Sequence, residues 1–221
     1  MLVSVLGPRP SRSARMEDSE RCQVELLITP QSGVAGPREA ELGSLLRQTL
    51  VPCLVLTAHP RKVLTVAVHV LADDGGAAAA AVNAALLALA DAGMPLRCLA
   101  GAVTLGLAQG PSSSAGMGDG EDDGGVAQLD LTQEEAAAAS ATVMAVYSEG
   151  AEAPLAVLSA GPLPMRALEH ALAVGRSAAA STVAFMRGAL RDKVLRDASA
   201  NFQGLLGVSL AELAGVAKEE A

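Results

Sequence analysis

The run VLADDGGAAAAAVNAALLALADAGMPLRCLAGAV, residues 70–103, decides the fold. Asp73-Asp74-Gly75-Gly76 is a turn, and an alanine-rich stretch follows to about Asp91, closed by Ala92-Gly93 and Met94-Pro95. Glycine just past a helix and proline beyond it are stop signals, so the pattern predicts one helix between two turns. Side chains this small predict a helix pressed close against a sheet or another helix. Leu99–Leu107 then reads as a strand. Upstream, Leu64, Val66, Val68 and Val70 alternate with Thr65, Ala67 and His69, and a period of two predicts a strand.

Working outward toward the start, Leu2–Leu6 reads as a strand ended by Gly7-Pro8, and Arg9–Arg21 as a polar loop with four arginines. Gln23–Thr29 alternates like a half-buried strand. Glu39–Leu50 is expected to be helical, with Leu42, Leu45, Leu46, Thr49 and Leu50 on one face, and Pro52 is expected to end it. Cys53–Thr57 reads as a short apolar strand. Toward the other end, residues 109–125 are rich in Gly, Ser and Asp, which predicts a solvated, disordered insert. Ala127–Leu131 is expected to be a strand, and Thr132–Ala139 a helical turn with Thr132 as cap and Glu135 at the capping-box position. Ala141–Ser148 and Ala153–Ser159 suggest a hairpin about Glu149-Gly150, and Pro164 opens a long helix to roughly Asp197. The elements group as an α+β sandwich of sheets and helices, one domain over residues 1–197. Residues 198–221 form a tail expected to hold one short helix.

Composition narrows the function. The 221 residues carry a formal net charge of −8, and phosphate neutralisation dominates nucleic-acid affinity, so a free-standing nucleic-acid-binding domain is not expected. Four of the carboxylates fall within Asp119–Asp123, so much of the excess is local. Trp is absent, with one Tyr and two Phe, so any RNA contact should run through phosphates and not through stacking on rings. Cys22, Cys53 and Cys98 lack metal-ligand spacing and read as buried reduced thiols of a cytosolic or nuclear protein. Met1–Leu6 is too short for a signal-peptide core, and no apolar run approaches the ~20 residues of a membrane span.

Several segments resemble the RNase PH-like proteins, specifically the ring subunits of the eukaryotic RNA exosome. Residues 70–103 carry the most specific likeness: an acidic-Gly turn, a small-residue helix containing Asn-Ala-Ala, then Asp-Ala-Gly-Met-Pro-Leu-Arg running into a strand. LDLTQEE, Leu129–Glu135, resembles the family's Leu-Asp-Leu motif, and His59-Pro60-Arg61 is a further landmark. The resemblance implies the RNase PH fold, which is like the second domain of ribosomal protein S5. It implies a place in a six-membered ring whose pore passes RNA, with other RNase PH-like ring subunits and cap subunits as partners. It also implies single-stranded RNA as the molecule handled and a home in nucleus, nucleolus and cytoplasm. Family members usually begin with a further strand pair; here the sequence starts at Leu2–Leu6, so either the start is truncated or the edge of the first sheet is expected to be bare.

Active members hold the attacking phosphate with a Gly-Thr-Arg or Gly-Ser-Arg turn at the helix start. The matching residues are Gly76, Ala77 and Ala78, so the helix end remains while the hydroxyl and the guanidinium are gone. Arginine grips phosphate bidentately with charge, which alanine cannot replace. Asp130 matches the first family acid, but Thr132 stands at the next, and Ala136–Thr142 contains none. The sequence therefore points to a vestigial phosphate and metal site of Gly76, Ala77, Ala78 and Asp130, with no catalytic residues, no metal and no cofactor. The Asp73-Asp74 pair is expected to cap the alanine helix. Arg9, Arg12, Arg61 and Arg97 are the candidate RNA contacts, weighed against a mobile charged loop and subunit anchoring. His59, His69 and His170 are separated and lack paired nucleophiles. Two other readings remain: a phosphate-dependent 3′→5′ exoribonuclease or metal-dependent nuclease, and a small-molecule kinase on the same superfold, which lacks the needed phosphate loop.

Overall fold

A computed structural model describes residues 1–10, 18–107 and 127–206, with side chains to residue 199. Along the chain lie β1 (Leu2–Pro10), β2 (Gln23–Thr29), α1 (Pro37–Cys53), β3 (Lys62–His69), α2 (Ala77–Asp91), β4 (Ala100–Leu107), β5 (Ala127–Leu129), α3 (Gln133–Ala138), β6 (Ala141–Ser148), β7 (Ala156–Ala160) and α4 (Met165–Leu206). Of the loop expected at Arg9–Arg21, Arg9 and Pro10 belong to β1 and residues 11–17 lie outside the described residues, as do the acidic insert at 109–125 and the part of the expected tail beyond Leu206. Contacts divide the chain into Met1–Val183, which holds both sheets, and Ala184–Ala221.

The first unit is layered. One sheet has the order β1-β3-β2, antiparallel between β1 and β3 and parallel between β2 and β3. The other has the order β5-β4-β6-β7 and is antiparallel throughout. The period-two reading of β3 translates directly into packing. Leu64, Val66 and Val68 join a core with Leu46 and Leu50 of α1 and Val82, Leu86 and Leu89 of α2, all fully buried. Met144 and Val146 of β6 enter the same core, so α1 and α2 lie between the two sheets. The alternate residues of β6, Val143, Ala145 and Tyr147, pack instead with Ala167, Ala171 and Ala179 of α4. Small residues let that helix come close: a Cβ on Gly101 of β4 would sit 2.5 Å from the Ala179 carbonyl oxygen. The Tyr147 hydroxyl donates to the Leu172 carbonyl at 2.9 Å, which fixes α4 lengthwise.

Asn83 joins α2 to β4. Its amide nitrogen donates to the Ala102 carbonyl and its oxygen accepts from the Ala102 N–H, both at 2.8 Å. Strand β5 pairs only with Leu105–Leu107, so Ala102 lies on a stretch of β4 that β5 does not cover. The side chain completes the ladder there, as buried backbone groups require.

Four expectations need correction. Pro52 lies inside α1, which runs on to Cys53: proline removes one return bond, yet the Leu54 N–H still reaches the Leu50 carbonyl at 3.1 Å. The short strand expected at Cys53–Thr57 is therefore absent; Leu54 makes a single bridge to Leu96, and Leu56–Ala58 is a 3-10 turn. Strand β1 does not end at Gly7-Pro8. The register shifts there and pairing resumes with Arg9 opposite Val63 and Pro10 opposite Lys62, a bulge. The long helix α4 continues past Asp197 to Leu206, so part of the expected tail is helix.

Candidate functional site

The site expected at the start of α2 is built by three turns. After β3 the chain turns through Asp73–Gly76, where the Asp73 carboxylate accepts from the Gly75 N–H at 3.1 Å. Gly75 has φ +102, and a Cβ there would lie 2.6 Å from the Leu131 carbonyl oxygen. Only glycine lets this turn press against the segment after β5. Asp74 reaches across, its Oδ1 accepting from the Gln133 N–H at 3.2 Å. The two acids therefore do not cap the alanine helix as expected: Asp73 closes its own turn and Asp74 receives the first N–H of α3. The α2 cap is Gly76, with no side-chain bond.

Asp130 closes the arrangement. It sits at φ 57, the left-handed region that aspartate tolerates better than most residues, and its N–H donates to the Thr104 carbonyl at 3.0 Å. Its Oδ1 lies 3.4 Å from where a Gly76 Cβ would be, so the carboxylate stands beside the helix start. Thr132, two residues on, is committed to α3. Its N–H donates to the Glu135 carboxylate at 2.9 Å, and its hydroxyl accepts from the Glu135 N–H at 3.3 Å. The predicted capping box is present. Hydrogen bonds from the Thr132 N–H, the Thr132 hydroxyl and Gln128 hold the Glu135 carboxyl below its usual range. A depressed carboxyl supports the folded state above the unfolded-state range and loses that support as pH falls through the folded value. Acid titration followed by amide exchange in α3 should show this helix fraying first there, and Glu135→Gln should flatten that dependence.

Two cavities flank the α2 start. One, of about 340 Å³, is lined by Met1, Gly76, Ala77, Asp74, Asp130 and Thr132 among others, and its charged side chains are the two carboxylates Asp74 and Asp130. The other, of about 530 Å³, is lined by Ala77, Ala78, Asp73 and the start of α1. It contains Arg38, a cation that sequence reasoning passed over, because an arginine in the first turn of a helix has no motif to mark it. Glu39, Glu41 and Asp73 line the same cavity, so three carboxylates face one guanidinium. Carboxylates outnumber basic side chains in both linings, and the positive end of α2 adds to Arg38 as what an anion would meet in the larger one. Among the described residues no group of three or more His, Cys, Asp or Glu stands together.

The candidate RNA contacts lie elsewhere. Arg9 and Arg61 are at the end of the first sheet where β3 begins, and the α2 turn follows the end where β3 finishes. Eight residues of strand at ~3.3 Å each set them roughly 20 Å or more apart. The Arg9 guanidinium donates to the Thr65 hydroxyl at 3.3 Å, and that hydroxyl donates to Glu25 at 3.3 Å, a chain across all three strands. Arg61 adopts φ 58 and donates its N–H to the Asp18 carbonyl at 3.1 Å. Arg97 lies between α2 and β4, its N–H on the Cys53 carbonyl at 2.8 Å. Arg12 is outside the described residues.

Comparison with known proteins finds relatives of part of the chain and a similar fold. Residues 1–95 match the family model of the RNase PH 3′ exoribonuclease family, domain 1. The exosome complex exonuclease RRP46 homolog of Arabidopsis thaliana is 36% identical over 109 residues, 49% of this chain and 45% of that protein. The homolog in Oryza sativa subsp. japonica is 35% identical over 107 residues, 48% and 44% of the two. The exosome complex component Rrp41 of Nitrosopumilus maritimus is 34% identical over 114 residues, 48% and 47%. The matched part of the chain thus spans less than half the length of each of these relatives. In three dimensions it is similar to the crystal structure of rice Rrp46, with a TM-score of 0.73 at 26% identity, covering 86% of this chain and 82% of that one. The first 95 residues thus match domain 1 of the RNase PH 3′ exoribonuclease family, and over most of its length the chain is similar in fold to rice Rrp46.

Proposed function

We propose that this chain is a non-catalytic ring subunit of an RNA exosome. It supports 3′→5′ RNA degradation and the processing of rRNA and mRNA by assembling the ring and lining the RNA path. The observation that carries the reading is the pair of alanines, Ala77 and Ala78, at an uncapped helix start whose neighbouring charges are mostly carboxylates. Its partners in this reading are other RNase PH-like ring subunits and cap subunits. Single-stranded RNA passes through the assembled ring and meets Arg9, Arg12, Arg61 and Arg97 through its phosphates. The place of action is the nucleus and nucleolus, and also the cytoplasm.

A second reading, a phosphate-dependent 3′→5′ exoribonuclease, draws on the retained Asp130 and on the word exonuclease in the names of two relatives. Incubating the purified chain with end-labelled single-stranded RNA, with and without phosphate and magnesium, separates the two. The proposal expects intact RNA under every condition and co-purification with other ring subunits. Phosphate-dependent release of nucleoside diphosphates would overturn it.

A further inference from the structure

We propose that Cys53 and Cys98 form a reversible dithiol–disulfide pair, a modification site that ties the end of α1 to the start of β4. The two Sγ atoms are 3.8 Å apart, although the residues are 45 positions apart in the chain. The segments carrying them are already fastened together. The Arg97 N–H donates to the Cys53 carbonyl at 2.8 Å, the Val55 N–H donates to the Pro95 carbonyl at 3.0 Å, and Leu54 bridges Leu96. Closing the sulfurs from contact to bond length, about 2.05 Å, therefore requires side-chain rotation and a small backbone adjustment, with no change in which segments meet. Cys22, the third thiol, is buried at the start of β2, where its Sγ donates to the Gln23 carbonyl at 3.6 Å.

The two thiols differ in access, and that sets the order of events. Cys98 is partly exposed and Cys53 fully buried. With a small disulfide oxidant such as oxidised glutathione, the Cys98 sulfur attacks one sulfur of the oxidant and one glutathione leaves as the thiol. The Cys53 sulfur then attacks Cys98, and the second glutathione leaves. One sulfur–sulfur bond is formed in the protein, one is broken in the oxidant, and the two thiol protons depart on the two glutathione molecules. Burial first, and then the neighbouring Cys98, push the Cys53 thiol up to about 12, so closure is the slow step and quickens as pH rises.

The test treats the whole protein with oxidised glutathione, quenches in acid and maps linkages by mass spectrometry without reductant. The expected product has lost two hydrogens, joins the peptides of Cys53 and Cys98, and retains one of the three thiols. Cys53→Ser should stop at a stable glutathione adduct on Cys98, and Cys98→Ser, at the more accessible position, should take up no glutathione. A lasting adduct on Cys98 in the unsubstituted protein, a link involving Cys22, or three unreacted thiols would overturn the proposal.

Discussion

Replacing Asn83 with alanine is expected to destabilise the fold by roughly 2–4 kcal/mol, read as a lower urea midpoint with an unchanged slope. The change removes both 2.8 Å bonds to Ala102 and leaves a backbone donor and an acceptor between α2 and β4 without partners. Strand β5 stops short of that position, so no ladder takes them over. Asn83→Asp separates the two contributions. The carboxylate can still accept from the Ala102 N–H but faces the Ala102 carbonyl without a proton to give, so its cost should match or exceed that of alanine at neutral pH. A shift below about 0.5 kcal/mol for Asn83→Ala, the range of an ordinary surface change, would show that the clamp contributes little.

The second large effect is expected at Gly75. Gly75→Ala places a methyl 2.6 Å from the Leu131 carbonyl oxygen and 2.9 Å from the Thr132 carbonyl carbon, at a φ of +102 that L side chains rarely adopt. These are backbone atoms held by β5 and α3, so they cannot swing aside as a side-chain tip would. Strain in such a region costs of order 1–3 kcal/mol, and the overlap adds a comparable amount, for a loss of about 2–5 kcal/mol. The structural signature should be local. The Asp74 bond to the Gln133 N–H should break first, seen as faster amide exchange at Gln133, while the β6–β7 pairing at the other edge of its sheet stays protected. Equal protection at Gln133 in both proteins would contradict this account of the turn.

Where the sequence was legible, one physical signal dominated over a whole element. The period of two in β3, the run of small residues in α2 and the Thr132–Glu135 spacing each fixed an element, because nothing distant competes with them. Where several local rules conflict, the order of strength is not visible from residues alone. Proline argues for an end at Pro52, yet near the last turn it removes only one bond, and burial of Cys53 carries the helix one residue further. Gly7-Pro8 argues for a strand end, but pairing on both sides of it makes a bulge.

The candidate site divides the same way. Which side chains are missing from the α2 start, Ala77 and Ala78, is a matter of identity and needs only the chain. Which carboxylates surround it depends on elements far apart in sequence. The partner of Asp74 is 59 residues away, and Arg38 reaches the same cavity as Ala78 from another helix. Sequence separation also hid the opposite placement of Arg9 and Arg61, whose distance from the α2 turn follows from the length of β3.

The proposed non-catalytic reading rests on a helix start that carries Ala77 and Ala78, is rimmed mostly by carboxylates, and so should hold an inorganic anion weakly. Titrating inorganic phosphate into isotopically labelled protein and following the amide signals of Gly76, Ala77 and Ala78 by NMR tests it most directly. The account predicts no saturable movement of these signals, with any drift matching that of exposed amides elsewhere. A saturable shift at all three, with Asp130 moving in step, would contradict it.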